Sequence, residues 1–207
     1  RSFTLFIFLT KYNNAILYKA RDARNLFYQP ITPLNFGLGF THKMLTIGIS
    51  VVSPYLNPSS YGEVKNTTLQ LTAYGKRYGA ELFFYSNTGY RLTNHVDFVR
   101  SIDPTSTAAL EYPDMGMVKT GMNLIWVAHP EKYSLKASTN LMERQRRNAQ
   151  SFLMNISFTY MTTHNDDSSF VPPPFEDEYK DRVNLTRGYF FNFAPSPGYG
   201  FNWRIKK

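Results

Sequence analysis

The sequence predicts an all-β protein, an antiparallel up-and-down β-barrel of about ten to twelve strands. Three observations predict this class. Apolar residues alternate with small or polar residues along short segments, turn-forming residues separate those segments, and helical periodicity is nearly absent. A chain of 207 residues is long enough for one such domain, so we expect residues 1–207 to form a single barrel domain.

The clearest alternation is "LNFGLGFTHKMLTIGISVVS" at residues 34–53. Two strands joined by a turn at His42 and Lys43 explain it, because successive side chains of a strand point to opposite faces. The opposite face of both strands holds Gly, Asn, Thr and Ser. The bulky apolar face here and in a second segment, 151–159, consists of Phe36, Leu38, Phe40, Leu45, Ile47, Ile49, Val51, Phe152, Met154, Ile156 and Phe158.

The first six predicted strands form three pairs, each joined by a tight turn. The turns lie at residues 12–14 (YNN), 42–43 (HK) and 75–77 (GKR). Each strand combines alternation with aromatic or β-branched residues, and a long polar loop follows each pair. The six strands are expected near residues 3–10, 15–20, 35–41, 44–53, 66–74 and 78–86.

The remaining strands meet the same criteria. A turn at residues 129–131 (HPE) joins the next pair, and further strands are expected near 121–128, 132–138, 150–161, 187–194 and 198–205. The long loops are expected at residues 21–34, 54–65, 87–120 and 139–149. Short and long connections therefore alternate, which is typical of barrels with tight turns at one rim and long loops at the other.

The alternation of connections fails at residues 163–186, "THNDDSSFVPPPFEDEYKDRVNLT", a long, acidic, Pro-rich insertion where a tight turn is due. Either a strand is miscounted, or this segment plugs the lumen or docks a partner. Pro residues favour an extended polyproline conformation, which suits docking. The predicted docking residues are Pro172, Pro173, Pro174 and Phe175.

The less apolar face decides between a soluble and a membrane barrel. A soluble sheet carries many charged residues on that face, whereas here the clearest charges inside strands are Glu81 and Lys136. Strands of about eight to ten residues match a tilted crossing of roughly 25 Å of hydrocarbon. The sequence holds 15 Tyr and 17 Phe, and Tyr gathers near strand ends, where lipid meets water. The apolar face is therefore expected to face lipid in a bacterial outer membrane, with a soluble lipocalin-like barrel as the alternative.

The net charge of +8 indicates polyanionic partners. Nucleic acid is not expected, because Lys and Arg cluster at turns and loops instead of covering one sheet face. Guanidinium groups bind phosphate in a bidentate manner, and the loop at 139–149 is assigned to the outer side. Contact with lipopolysaccharide phosphates is therefore expected from Arg144, Arg146 and Arg147.

The sequence predicts no catalytic residue, no cofactor and no metal site. A Ser nucleophile needs a neighbouring imidazole, but the G-x-S-x-G signature is missing and the His residues fall in turns and loops. The acidic segment has no Gly and therefore lacks the spacing of a calcium loop. The sequence contains no Cys.

Several motifs together resemble an outer-membrane β-barrel family of Bacteroidota that is defined only as a domain of unknown function. They are "NFGLGF" leading into a Lys turn, "YGKRYG" between paired strands, and "GYGFNW" in the last strand. The resemblance implies a barrel in the outer membrane, with further strands after "NWRIKK", and it implies no activity. The ending on a strand and two lysines also leads us to expect a barrel that is incomplete at the termini of this sequence.

Two roles remain open at this stage. One is a structural or accessory subunit of a larger outer-membrane complex, and the other is a stand-alone narrow channel or small-ligand transporter. The contents of the lumen distinguish them, since bulky inward side chains would close a narrow bore. The side chains expected to point inward are Phe6, Phe8, Gln70, Phe83, Tyr85 and Ile125. The expected partners are membrane lipid, lipopolysaccharide and other outer-membrane proteins.

Overall fold

A computed structural model describes residues 3–19, 25–31, 34–53, 64–93, 111–139, 147–166, 169–171, 179 and 185–203. The described residues form ten strands and a short helix, α1. Their bounds are β1 (Phe3–Thr10), β2 (Ile16–Tyr18), β3 (Leu26–Pro30), β4 (Asn35–His42), β5 (Leu45–Val52), β6 (Asn66–Tyr74), β7 (Tyr78–Leu92), β8 (Glu111–Val127), α1 (Leu135–Thr139), β9 (Ala149–Asn165) and β10 (Arg187–Asn202). In this part of the chain, no helix is both long enough and apolar enough to cross a membrane.

The strands form one antiparallel sheet with up-and-down topology, as predicted. The main path runs β1-β4-β5-β6-β7-β8-β9-β10, while β2 pairs with β3, and β3 pairs with the end of β7. The described residues do not close into a barrel, because no pairing joins β1 to β10. The sheet therefore has two edges, each with a row of backbone groups that no described strand pairs.

The predicted strand at 132–138 is wrong, since these residues form a turn followed by α1. Ser134 favours the helix because its Oγ accepts a hydrogen bond from the Ala137 N–H at 3.2 Å, which caps the first turn. Tyr133 and Leu135 are both buried, so their alternation marks burial without marking a strand.

Other strand boundaries also differ from the prediction. The strand β3 lies in a segment predicted as loop, and the two predicted C-terminal strands form the single strand β10. Pro195 and Pro197 fit in β10 because it is an edge strand, where a missing N–H is tolerated. At the end of β7, Gly89 has a φ of 88° at a shift in register, and the bulge allows pairing to continue into the predicted loop.

Two predictions about the connections are wrong. The turn at 12–14 does not join a strand pair, since β1 pairs with β4 and β2 pairs with β3, and the connection 128–148 is long although it lies at the same end of the sheet as the tight turns. The turns at 43–44 and 75–77 and the connection 128–148 lie at one end of the sheet, the tight-turn end. The connections at 11–34, 53–65, 93–110 and 166–186 lie at the other, the long-loop end. The segment 163–186 thus lies at the end of the sheet that carries the other long connections. A tight turn was expected there only because 132–138 was counted as a strand.

The sheet exposes its apolar face and buries its polar face. On the apolar face, Leu38 is 55% exposed and Ile49 is 49% exposed, whereas Asn35 and Ser50 on the opposite face are 0% and 1% exposed. The register aligns these faces across every strand of the main path. We call them the outer face and the inner face, and the predicted division into two faces is confirmed.

The sheet curls around its inner face. Thr10 Oγ1 lies 3.4 Å from Ser50 Oγ, although β4 separates their strands. The ring of Phe8 packs over Gly37, where an added Cβ would lie 2.4 Å from the ring. Small residues of the inner face therefore leave room for aromatic rings from the neighbouring strand.

Two apolar clusters occupy the interior, one at each end. The tight-turn-end cluster consists of Tyr74, Val127, Tyr133, Leu135 and Ala149. The long-loop-end cluster consists of Leu26, Tyr28, Tyr90, Leu92, Met115, Met117, Phe170, Val171 and Tyr179. The Tyr28 hydroxyl donates a hydrogen bond to the Phe170 carbonyl oxygen, which ties the 166–186 connection to β3. Burial raises the pKa of the Tyr28 phenol, so the hydroxyl stays protonated and remains a donor.

Candidate binding chamber

A polar cavity of about 470 Å³ lies on the inner face between the two apolar clusters. The walls come from β6, β7, β8 and β9. We call this cavity the chamber, and its lining side chains include Gln70, Thr72, Tyr74, Glu81, Phe83, Tyr85, Lys119, Asn123, Ser157 and Thr159. A cavity of this size is in the range of small-molecule sites, roughly 300 to 1,000 Å³.

Strand register brings these side chains together. One row across the four strands contains Thr72, Glu81, Asn123 and Ser157. The next row contains Gln70, Phe83, Gly121 and Thr159. A third row contains Thr68, Tyr85, Lys119 and Met161. Residues two apart on a strand share a face, so the three rows together form one continuous polar wall.

The carboxylate of Glu81 is held by two hydrogen bonds. The Tyr74 hydroxyl donates to Oε1, and the Asn123 Nδ2 donates to Oε2 at 3.1 Å. Both oxygens therefore have a fixed partner, which defines the orientation of the charge. Since Tyr74 also belongs to the tight-turn-end cluster, this network joins the chamber to the apolar side chains below it.

Aromatic rings line the other half of the chamber. The ring centroids of Phe83 and Tyr85 are 5.2 Å apart, and those of Tyr12 and Tyr85 are also 5.2 Å apart. The Gln70 Nε2 donates to the Tyr85 hydroxyl at 2.8 Å. Tyr12 follows β1 in the chain, so the segment after β1 reaches across the interior to β7.

Lys119 is the basic residue of the lining. Its Nζ lies 5.8 Å from the centroid of the Phe83 ring, a distance at which the ring face attracts a cation. Glu81 pairs with Asn123, four residues further along β8, so about 13 Å of strand separates its row from that of Lys119. The chamber therefore places a carboxylate toward one end and an ammonium toward the other.

Sequence reasoning found one of these two charges. Glu81 lies on the inner face of β7, where the sequence predicts it. Lys119 was missed because the sequence predicts a loop at 87–120, whereas β8 begins at Glu111. Lys136, the other predicted strand charge, lies in α1. Met117, Lys119 and Gly121 are every second residue of β8 and share its inner face. This period of two was the signal that could have placed Lys119 on a strand.

The predicted phosphate-binding arginines are not part of the chamber. Arg144 and Arg146 lie outside the described residues, and Arg147 is exposed in the connection between β8 and β9. That connection is at the tight-turn end, because 132–138 is not a strand. The assignment to the long-loop side therefore does not hold for Arg147, while lipopolysaccharide contact itself stays a prediction.

The predicted docking residues Pro172, Pro173, Pro174 and Phe175 also lie outside the described residues. Their neighbours Phe170 and Val171 are buried in the long-loop-end cluster. All eleven residues predicted to face lipid lie on the outer face of the sheet. The side chains expected to point inward, including Phe6, Phe8 and Ile125, lie on the inner face.

Of the three described histidines, His129 and His164 lie near carboxylates, whereas His42 stacks on the Phe40 ring. His129 Nδ1 lies 3.6 Å from Glu131, and His164 Nε2 lies 4.0 Å from Asp166. Among the residues that the structure describes, no three His, Cys, Asp or Glu side chains are grouped as a metal site requires.

Comparisons with known proteins give one match. The model of a family described as a domain of unknown function (DUF4421) matches residues 1–207. Neither a curated protein nor a solved structure matches the chain.

Proposed function

The chain belongs to the family of domain of unknown function DUF4421, and we propose that it is a non-enzymatic outer-membrane β-barrel protein, a structural or accessory subunit of a larger outer-membrane complex. One observation carries this proposal. The sheet is inverted relative to a soluble protein, with its apolar side chains exposed and its polar side chains buried. Lipid is the environment in which such an outer face is stable.

The dimensions of the strands support a membrane location. The strands β4 and β5 have 8 residues each, and β6 has 9. Tilted strands of about nine to eleven residues cross the hydrocarbon of a bilayer, a range that β6 reaches and that β4 and β5 fall short of by one residue. Outer-membrane barrels present an apolar band about 25 Å tall. The longer strands β7 to β10 would then extend beyond the membrane, toward the long-loop end.

The proposal includes closure of the sheet. Unpaired backbone groups at the edges of β1 and β10 would each cost several kcal/mol in lipid, so a membrane form requires these edges to be paired. The proposed setting is the outer membrane of a member of the Bacteroidota, in contact with lipid and lipopolysaccharide. The resemblance of the strand and turn motifs to such a family supports this setting.

The apolar clusters at both ends of the interior favour an accessory subunit over a channel. The tight-turn-end cluster and the long-loop-end cluster occupy opposite ends of the interior, and the rings of Phe6 and Phe8 cover the inner face beside β1. Conduction requires a continuous hydrated path, and apolar side chains at both ends oppose one. The outer face then remains as the surface for lipid and for neighbouring proteins.

The test combines purification from native membranes with electrical recording. We expect detergent extraction to release the protein from the outer-membrane fraction together with stoichiometric partner proteins. We expect the isolated protein to show no steady current in planar bilayers, with a known porin as the positive control. Reproducible open-channel current from the isolated protein would overturn the accessory role, and recovery in the soluble fraction would overturn the membrane location.

A further inference from the structure

We propose that the chamber is a binding site for a small organic anion, a molecule bearing a carboxylate or phosphate group, with Lys119 as the residue that binds the anionic group. The proposal depends on the geometry of the chamber alone. It can therefore hold or fail independently of the membrane location and of the accessory role.

The first argument is the isolated charge of Lys119. This side chain is half-buried, and within the described part of the chain its contact is the face of the Phe83 ring. Solvent screens a partly buried ammonium less than one in bulk water, so it attracts an anion more strongly. An anionic ligand in the chamber would supply the opposite charge.

The second argument is that Glu81 does not serve as the counter-ion. The rows of the two residues are about 13 Å apart along β8. In addition, Tyr74 and Asn123 already donate hydrogen bonds to the two carboxylate oxygens. The carboxylate of Glu81 is thus oriented toward Tyr74 and Asn123, and among the described residues it forms no ion pair with Lys119.

The third argument concerns the groups around Lys119. The Tyr85 residue is its direct partner on β7, and Thr159 lies in the adjacent row on β9. Their hydroxyls can donate to the oxygens of a carboxylate or phosphate. The rings of Phe83 and Tyr85 line the same space and offer apolar surface to the body of the ligand, and the Tyr12 ring packs against Tyr85. A bare inorganic ion would use the charge but not this surface.

The chamber also constrains the source of the anion. It lies on the inner face, whereas the lipid-facing side chains lie on the outer face of the same strands. A free metabolite is therefore favoured over a lipid headgroup, although both can carry an anionic carboxylate or phosphate group.

Calorimetric titration of the purified, detergent-solubilised protein tests the site. The probes are gluconate, inorganic phosphate, micellar lipid A and, as the neutral analogue of gluconate, glucose. We expect gluconate to bind more tightly than phosphate, and we expect no binding of glucose. Lys119→Met should weaken gluconate binding by about tenfold to a hundredfold, the usual effect of losing one charge-assisted hydrogen bond.

Two further variants control for folding and for charge. Lys119→Arg retains the positive charge and should retain most of the affinity. Loss of binding in this variant as well would show that substitution at this position disturbs the structure. Lys76→Met removes an exposed charge from the turn between β6 and β7 and should leave binding unchanged. Binding of lipid A that Lys119→Met abolishes would support the site and identify a lipid headgroup as the source. Three results would overturn the proposal: no binding of any anionic probe, equal binding of glucose, or unchanged affinity in Lys119→Met.

Discussion

Close approach between neighbouring strands fixes the identity of single residues in the chamber wall. An added Cβ at Gly121 would lie 2.5 Å from the Phe158 carbonyl oxygen and 2.5 Å from the Phe83 Cζ. The carbonyl belongs to the backbone of β9 and cannot rotate away, so the strand itself would have to move. Gly121 therefore allows the Phe83 ring to lie flat against the wall beside Lys119.

We expect Gly121→Ala to lower the free energy of unfolding by about 1–3 kcal/mol, the usual cost of overpacking. Gly198→Ala is the matched control, because its Cβ would meet the Leu153 Cβ at 3.8 Å, an ordinary contact. Urea unfolding in detergent, followed by tryptophan fluorescence, measures both variants. Equal midpoints for the two would show that β8 and β9 are less closely packed than the structure indicates.

The sequence predicts the position of a single residue correctly where the period of two within one strand is enough to assign its side chain to a face. Glu81 was assigned to the inner face because its neighbours alternate within a tightly bounded strand. The importance of Gly121 was not predictable, since the contact depends on a carbonyl of another strand. The hydrogen bonds of Glu81 likewise depend on register between β6, β7 and β8, which a single sequence does not contain.

Among whole elements, α1 shows what an alternating pattern can and cannot indicate. Tyr133 and Leu135 are both buried, so the pattern that predicted a strand correctly marked the buried positions. Tyr133 precedes the cap and Leu135 is the first residue of α1, so a spacing of two residues across a helix start imitates the period of a strand. The capping interaction of Ser134 decides for the helix.

Packing of α1 against the sheet should contribute strongly to stability. Leu135 is 3% exposed in the tight-turn-end cluster, and we expect Leu135→Ala to cost about 2–5 kcal/mol, the range for a buried Leu. Leu17→Ala, at a position that is 48% exposed in β2, should change stability by about 0.5 kcal/mol or less. Urea midpoints again provide the comparison, and a small effect at Leu135 would show that α1 does not close the interior.

At the scale of the whole molecule, the two faces were predictable and the closure of the sheet was not. Each face follows from alternation within single strands, a local property of the sequence. Closure depends on pairing between the two ends of the sheet path, β1 and β10, which no local pattern encodes. The false strand at 132–138 also affected the whole molecule. It reversed the end of the sheet that was assigned to every later connection.

The orientation of the whole sheet in a membrane leads to a final prediction. Ile49 lies near the middle of β5 on the outer face, whereas Met44 lies in the turn that precedes this strand. If lipid covers the outer face, Ile49→Arg should destabilise the folded protein by about 2–4 kcal/mol, and Met44→Arg by about 0–1 kcal/mol, because the cost of Arg falls toward the interface.

The measurement is the fraction of protein that refolds into lipid vesicles, detected as a band whose gel migration changes on heating. Ile49 and Met44 have nearly equal exposure, 49% and 48%, so a penalty from exposure to water alone would not separate the two variants. A difference in depth within the hydrocarbon would separate the two variants, with less refolding of Ile49→Arg than of Met44→Arg. Equal refolding of both variants would contradict lipid contact at Ile49, and the inverted sheet would then require a protein partner over its outer face.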